Sequence, residues 1–406
     1  MKKPYVWIVP AVALILGLVG CAREAVEELP SEELFSLGIG KMDNQVDLFQ
    51  INGVMAAAKN RIYMRDGLFY IANGNSSKIM QLSSYGDLIF LLYNPDENPP
   101  PVLFPSGSQQ EMASTRTAVT YPLRRIGELA VDSEKRIYVE DAVSPERQVQ
   151  DKDLKVLLDR VVLRFDRHGK LLDFIGQEGV GGTPFPYIDS LYVTDRDELV
   201  AVCRTPRFWQ VFWYTPQGSL RFQVQLDYEH LPMPEDHPGA IASLGKILPD
   251  PEAGVLYLYI HYQIAGAEEA AQSYLTRIYS LEPSSGNYLS HIEVPQDGNR
   301  LEKVGTQEVE VAAPSFELLG VSSRGSGSRG VFYLLRREEG NVFQLLVVDS
   351  AGKEIARRHL VMEDAELFYK EVHLSSTGIV YALLAEEFRA RVVWWRSDRL
   401  VDGSSR

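Results

Sequence analysis

The feature that most constrains this chain is a phrase it repeats: two apolar runs joined by a tight turn that closes on glycine. At residues 160–176 it reads RVVLRFDRHGKLLDFIG, and at 78–93 KIMQLSSYGDLIFLLY. Each run is too short for a helix and rich in β-branched and aromatic residues, so each reads as a strand. The glycine stands where such a turn requires a positive φ. The fullest copy, 121–176, holds four apolar runs at 126–131, 137–140, 160–166 and 170–175, with DSEK and RHG as turns and an insert between. Five other copies combine RDGLFYIANGN with SKIMQLSSYGDLIFLLY, IDSLYVTDRDELVAVCR with FWQVFWYTPQGSLRFQVQL, GVLYLYIHYQ with YLTRIYSLEPSSGNYLSHIEV, GVFYLLRRE with VFQLLVVDSAGKEIARRHLV, and FYKEVHLSSTGIVYALLAEE with RARVVWWRSDRLV. Gly86, Gly169, Gly218, Gly286 and Gly352 fall in one slot of this repeat.

A four-stranded sheet that is apolar on both faces cannot bury both by itself. Copies stacked around an axis can, and closing the ring removes the exposed ends. The expected fold is therefore all-β: a six-bladed β-propeller of four-stranded antiparallel blades. In FWQVFWY, Phe208, Phe212 and Tyr214 point one way and Trp209, Val211 and Trp213 the other, a pattern for packing between blades. The sixth copy lacks an outer strand after Trp395, and residues 34–50 have spare apolar character. An N-terminal strand is thus expected to close the last blade.

The fullest copy resembles an NHL repeat. The matching positions are Ala130-Val131-Asp132, Ile137-Tyr138-Val139 with Asp141, Arg164-Phe165-Asp166, Gly169-Lys170 and Phe174-Ile175-Gly176. The other copies follow this pattern more loosely. The resemblance implies the same six-bladed fold; some propellers of this kind are calcium-dependent lactonases or peptide-amidating lyases, whose metal ligands match no motif here.

The first 20 residues are expected to lie outside the fold. Lys2 and Lys3 form a positive start, and Tyr5 to Gly20 is an apolar run of 16 residues containing Pro10, short of the ~20 needed to span a bilayer. It ends in LVGC, Leu18 to Cys21, as a secretory signal does. This end resembles the lipobox of bacterial lipoproteins. The resemblance implies cleavage before Cys21, diacylation of its sulfur and acylation of the new amino group. Residues 21–33 then read as a lipidated N-terminus and charged leader, 34–400 as the propeller and 401–406 as a tail. In overall organisation the chain is similar to NHL-type lipoproteins of spirochaetes that have no assigned role. Ala22 stands where Asp would mark inner-membrane retention in enteric bacteria, which favours the outer membrane, periplasmic or surface side open.

The net charge is −14, and without Lys2 and Lys3 the balance is 39 basic against 55 acidic residues, −16. That excludes nucleic acid as a natural partner, since phosphates are neutralised by Lys and Arg, and it leaves membrane attachment to the lipid. The two cysteines are Cys21 and Cys203. With Cys21 acylated no internal disulfide remains, and Cys203 in ELVAVCRT reads as a buried strand residue. H-E-x-x-H, G-x-S-x-G and the Walker loop are absent from the sequence. EHLPMPEDH offers His230 and His237 with Glu229 and Asp236, metal-ligand types without a metal-site spacing. No cofactor is expected, a divalent cation being the alternative.

Links between third and fourth strands are short, and the long segments, 94–122, 142–158, 227–240, 263–272 and 295–314, all fall on the opposite face. Within them KDLKVLLDRV and GAEEAAQSYL favour short helices. The second strands end in Asn73, Asp141, Arg204, His261, Arg336 and Glu386, and repeat alignment places these six at the channel rim as candidate binding residues. Strand-end capping is the competing role for them. The expected function is a membrane-anchored, non-enzymatic binding scaffold for an envelope protein, peptide or glycan. A metal-dependent hydrolase or lyase with its site in the central channel, and an outer-membrane assembly scaffold, are the alternatives.

Overall fold

The period-two pattern resolves into six small antiparallel sheets in a computed structural model that describes residues 26–49, 58–104, 116–264, 273–296, 300–304, 307–311, 315–323, 330–338, 340–363 and 367–402. From the axis outward, blade 1 comprises Asn60–Arg65, Leu68–Asn73, Lys78–Leu82 and Leu88–Tyr93; blade 2 Leu129–Val131, Ile137–Ala142, Arg160–Phe165 and Leu171–Gly176. Blade 3 comprises Tyr187–Val193, Leu199–Arg204, Phe208–Tyr214 and Leu220–Asp227; blade 4 Ile241–Pro249, Leu256–Ile264, Ser273–Leu281 and Tyr288–Glu293. Blade 5 comprises Glu317–Ser322, Val331–Arg337, Val342–Val348 and Glu354–Val361. Blade 6 takes Tyr369–Leu374, Val380–Ala385 and Arg389–Trp395 from the end of the chain and Ser31–Ile39 from its start. Three blades gain a fifth strand: Thr117–Thr120, parallel to Leu88–Tyr93, in blade 1; Gly179–Val180 in blade 2; Gln45–Val46, parallel to Ser31–Ile39, in blade 6. The expected six-bladed ring is therefore observed, with four or five strands per blade.

Between each pair of neighbouring blades lies one apolar layer. Alternate residues of a strand go to opposite layers, as the pleat dictates. In blade 3, Phe212 and Tyr214 pack with Phe185 and Tyr138 toward blade 2, while Trp209, Val211 and Trp213 pack with Leu256 and Ile260 toward blade 4. Cys203 is buried in the first of these layers, and burial pushes its thiol well up. The turn glycines share a slot with φ between +72° and +88°. A Cβ on Gly86, Gly169 or Gly218 would come within 2.7 Å of Phe35, Phe90 or Val180, each on the outer edge of the preceding blade. Glycine there both makes the turn and lets the next blade close in.

Closure uses the two ends of the chain. Ser31–Gly38 pairs antiparallel with Arg389–Trp395, and Trp394 Nε1 donates to Glu32 Oε2 at 2.8 Å. The closing strand starts earlier than residues 34–50 suggested. Part of the expected leader is also in the fold, since Leu29 N donates to His359 O at 2.8 Å and His359 N to Glu27 O at 2.9 Å. Beyond the strand, Lys78 is buried and donates to the carbonyls of Lys41 (3.2 Å) and Met42 (2.6 Å). Burial lowers its pKa to about 8 against the pull of Asp47 and Asp43. At the other end a one-turn helix, Asp398–Asp402, buries Val401.

The helix expected in KDLKVLLDRV is a hairpin instead. Val149–Asp151 pairs with Val156–Leu158, and Asp151 Oδ1 accepts from the amides of Asp153 and Leu154 at 2.9 Å. The aspartate thus builds the turn, and Val149 and Val156 suit a ladder better than a helix. Of GAEEAAQSYL, residues 273–275 begin a strand and the rest lie outside the described residues, as does Cys21.

Phe35 is 8% exposed and meets the Phe69 ring edge-on at 5.6 Å across the closing layer. Phe35→Ala is expected to cost about 3–5 kcal/mol, read from the urea midpoint. An unchanged midpoint would mean that the N-terminal strand does not hold the ring shut.

Candidate functional site

Inner strands of a propeller crowd around the axis, so their side chains either fill it or line it. Here they leave a cavity of about 270 Å³ lined from all six blades. Its charged lining is Arg61 from blade 1, Glu128 beside blade 2, Asp189 from blade 3, Lys246 from blade 4, and Glu371 with His373 from blade 6. The inner strands run from the loop-rich face toward the short-link face. Asp189 and Glu371 therefore lie deeper toward the loop-rich side than Leu191, Val193, Val321 and Leu374, and the lining ends at Thr194, Pro251 and Ser376 in the short links. The walls below the charges are apolar and aromatic.

The inner strands of blades 3, 4 and 5 each slip register once, at Asp189, Gly245 and Leu319. A bulge re-aims a side chain and frees backbone groups. Asp189 is the unpaired residue of its bulge. Lys246 Nζ donates to the carbonyls of Leu318 (3.1 Å) and Leu319 (2.9 Å) at the blade 5 bulge.

The two halves of the ring are paired unequally. On one side the charges form a chain. Arg61 grips Glu128 with Nε and Nη2 at 2.8–3.0 Å and reaches Glu371 at 3.4 Å. Lys59 Nζ bonds Glu140 at 2.9 Å and the Ile188 carbonyl at 2.6 Å, and stands 3.2 Å from Glu128. Glu140 Oε2 also accepts from the Glu128 amide at 2.9 Å, and a Cβ on Gly127 would stand 2.2 Å from that oxygen. Glu371 accepts from Tyr369 Oη at 3.0 Å and lies 2.8 Å from His373 Nε2. Burial works against each charge, yet Glu140 and Glu128 hold the Lys59 ammonium above its usual range, and Glu128 does the same for Arg61. For Glu371 burial is overcome by His373, Arg61 and Tyr369, so its pKa is lowered.

On the other side pairing is thin. Asp189 has Arg204 at 3.7 Å, no hydrogen bond among the described residues, and a pKa raised by burial against the pull of Arg204. Lys246 has no carboxylate within ion-pair distance among the described residues, and burial lowers its pKa against the pull of Asp189.

The six residues expected at the rim do not line this cavity. Asn73 is buried and ties Asp47 to blade 1, accepting its amide at 2.8 Å and donating to its carbonyl at 2.7 Å. Asp141 accepts from the amides of Arg124, Arg125 and Ala142, and burial pushes it up to about 6 against those bonds. His261 Nδ1 lies 3.1 Å from Thr276 Oγ1, Arg336 donates to Gln344 at 2.8 Å, and Glu386 bonds Arg389 at 3.0 Å. Arg204 alone reaches the cavity lining, through Asp189. His230 stands 3.9 Å from Asp227 and His237 3.5 Å from Asp236, with no bond between the two histidines. Among the described residues no group of three or more His, Cys, Asp or Glu converges to hold a metal ion.

The sequence did mark some of these positions. EL before AV in blade 2, IDS in blade 3, LGK in blade 4 and KEV in blade 6 are charged residues inside apolar inner-strand runs. A charge within a strand otherwise patterned for burial was the available signal.

No family model matches the chain, and no curated protein matches it. Among solved structures it is similar to the polysaccharide lyase Uly1 (8% identity, 90% of this chain and 99% of that one, TM-score 0.41), to a glucose dehydrogenase (12%, 90% and 98%, 0.38) and to the Dos1 propeller (7%, 91% and 95%, 0.37).

Because the Glu371 pKa is lowered, its contribution to stability is present above the unfolded carboxylate value, about 4.3, and is lost as pH falls through the folded value. Glu371→Gln is therefore expected to cost about 1–3 kcal/mol at pH 7 and to flatten the fall of stability between pH 5 and pH 3, followed by urea unfolding across that range. Parallel pH profiles for variant and wild type would contradict the pairing.

Proposed function

We propose that the chain is a lipid-anchored protein of the bacterial envelope, NHL-like in its repeats, whose propeller is a non-enzymatic scaffold presenting its loop-rich face to a protein or peptide partner. The inequality of the two faces carries this reading. Links between first and second strands and between third and fourth lie on one face, and among the described residues Tyr85 is the single exposed large apolar side chain within them, with Leu172, Tyr288 and Leu289 at neighbouring strand starts. The connections on the other face are long and hold Val102, Leu157 and Met233 in solvent, with Ile241, Phe368 and Phe388 at neighbouring strand starts. Large side chains exposed on loops over a rigid scaffold are what protein interfaces bury.

Two observations support the family and the anchor. Asp132 of the NHL-like copy is buried and organises its link, accepting from Tyr138 Oη at 3.0 Å and from the Arg136 amide at 2.8 Å. Asp250 does the same with Tyr257 Oη at 2.7 Å in blade 4. Glu27 is held against His359 on the outer strand of blade 5, and Cys21 lies six residues upstream, at most ~20 Å of extended chain. A lipid on Cys21 would thus hold the outer edge of the ring close to the membrane, and two or more acyl chains make such an anchor stable. Ala22 favours the outer membrane.

Cys21→Ser is expected to move the protein from the membrane to the soluble fraction and to abolish palmitate labelling; a variant that stays membrane-bound and labelled defeats the anchor. Photo-crosslinkers at Val102 and Met233 are expected to capture a discrete partner in cells, and one at Tyr85 none. Equal capture from both faces defeats the scaffold reading.

A further inference from the structure

The unequal pairing around the axis has a chemical consequence. Asp189 and Lys246 line one cavity, belong to adjacent blades and act on one another's charge, yet no ion pair joins them. Every other charged group of the lining, Arg61, Glu128, Glu371 and His373, already has an opposite partner at 2.8–3.4 Å. Asp189 makes do with Arg204 at 3.7 Å, and Lys246 with two backbone carbonyls. Leaving an anion and a cation under-compensated in a shielded site is costly. Two such groups of opposite sign facing one space match a guest that carries both complementary charges.

Size and walls narrow the guest. The cavity, about 270 Å³, falls just below the range of small-molecule sites, about 300–1,000 Å³, and so suits only a small guest. Below the charged pair its walls are Leu191, Val193, Leu248, Val321 and Leu374, running toward the short links. We infer that the axial cavity is a binding site for a free apolar α-amino acid, with its ammonium on Asp189, its carboxylate on Lys246 and its side chain along the apolar walls toward the short-link face. The bulge at Asp189 then has a purpose: it turns a carboxylate out of the ladder toward the guest. The bulge in blade 5 supplies the carbonyls that hold Lys246 in place beside it. The apolar walls of this site run toward the short links, and the site does not rest on the partner proposed for the loop-rich face.

Titration calorimetry on the full chain in detergent tests it, with L-leucine and L-phenylalanine as ligands. Leucinamide, which lacks the carboxylate, and N-acetyl-leucine, which lacks the ammonium, serve as controls. Saturable binding of leucine or phenylalanine is expected, at least tenfold tighter than either control. Asp189→Asn is expected to weaken the amino acid at least tenfold and leave N-acetyl-leucine unchanged, and Lys246→Met to do the converse with leucinamide. Circular dichroism and the melting temperature show whether each variant is folded; should Lys246→Met not fold, Asp189→Asn and the two controls on the wild-type protein still decide. No binding of either amino acid to folded wild-type protein, or binding that both variants leave intact, overturns the inference. Its failure leaves capture from Val102 and Met233 untouched.

Discussion

The apolar layer between neighbouring blades is the constraint from which the rest follows. Each blade is a sheet with two greasy faces, so each needs a neighbour on both sides, and a ring is the arrangement with no unsatisfied end. At roughly 25 cal/mol per Å² of apolar area, layers such as Trp209–Trp213 against Leu256–Ile260 supply the driving force. The closing layer, with Phe35 and Leu37 against Phe69 and Leu383, differs only in drawing its strands from both chain ends. The turn glycines belong to the same constraint, because a side chain there would hold adjacent blades apart.

Once the layers carry stability, the axis is free to be polar. Charges that would be ruinous in a layer are tolerated there because they meet one another across blades. Lys59 and Arg61 tie blade 1 to blades 2, 3 and 6 through Glu128, Glu140, the Ile188 carbonyl and Glu371. The ring of inner strands is thus latched by electrostatics on one side. On the other side, at three bulges in consecutive blades, the ladder opens, and no ion pair joins Asp189 to Lys246. If the axial cavity binds as proposed, stability and binding are divided between layers and axis, and within the axis between its two sides.

The faces divide in a similar way. Short links carry the packing geometry and hold little else: Asp132, Asp166, Asp250 and Asp349 accept amides of their own turns. The long connections lie where the chain crosses between blades or turns back within one, and they are released from that geometry. The added strands Thr117–Thr120 and Val149–Asp151 with Val156–Leu158 are local structures built from this freedom.

Strand period, turn glycines and the count of six copies are local properties, and they determined the blade number, the two-faced packing of FWQVFWY, the buried Cys203 and the closure by an N-terminal strand. The hairpin at 149–158 was misread because its apolar spacing suits either period, and Asp151 settles the choice through turn bonds that a pattern does not reveal. The axial site was legible only as odd charges in inner strands. Asn73, Asp141, Arg204, His261, Arg336 and Glu386 were selected at the ends of second strands, which stand about 4.8 Å back from the inner ones, and there they mostly tie down backbone and neighbours. Arg61, Glu128, Asp189, Lys246 and Glu371 lie far apart along the chain. Which of them meet, and which stay unpaired, was decided by ring closure and by single-residue slips in three ladders. Those depend on contacts between blades, to which the sequence of any one blade is blind.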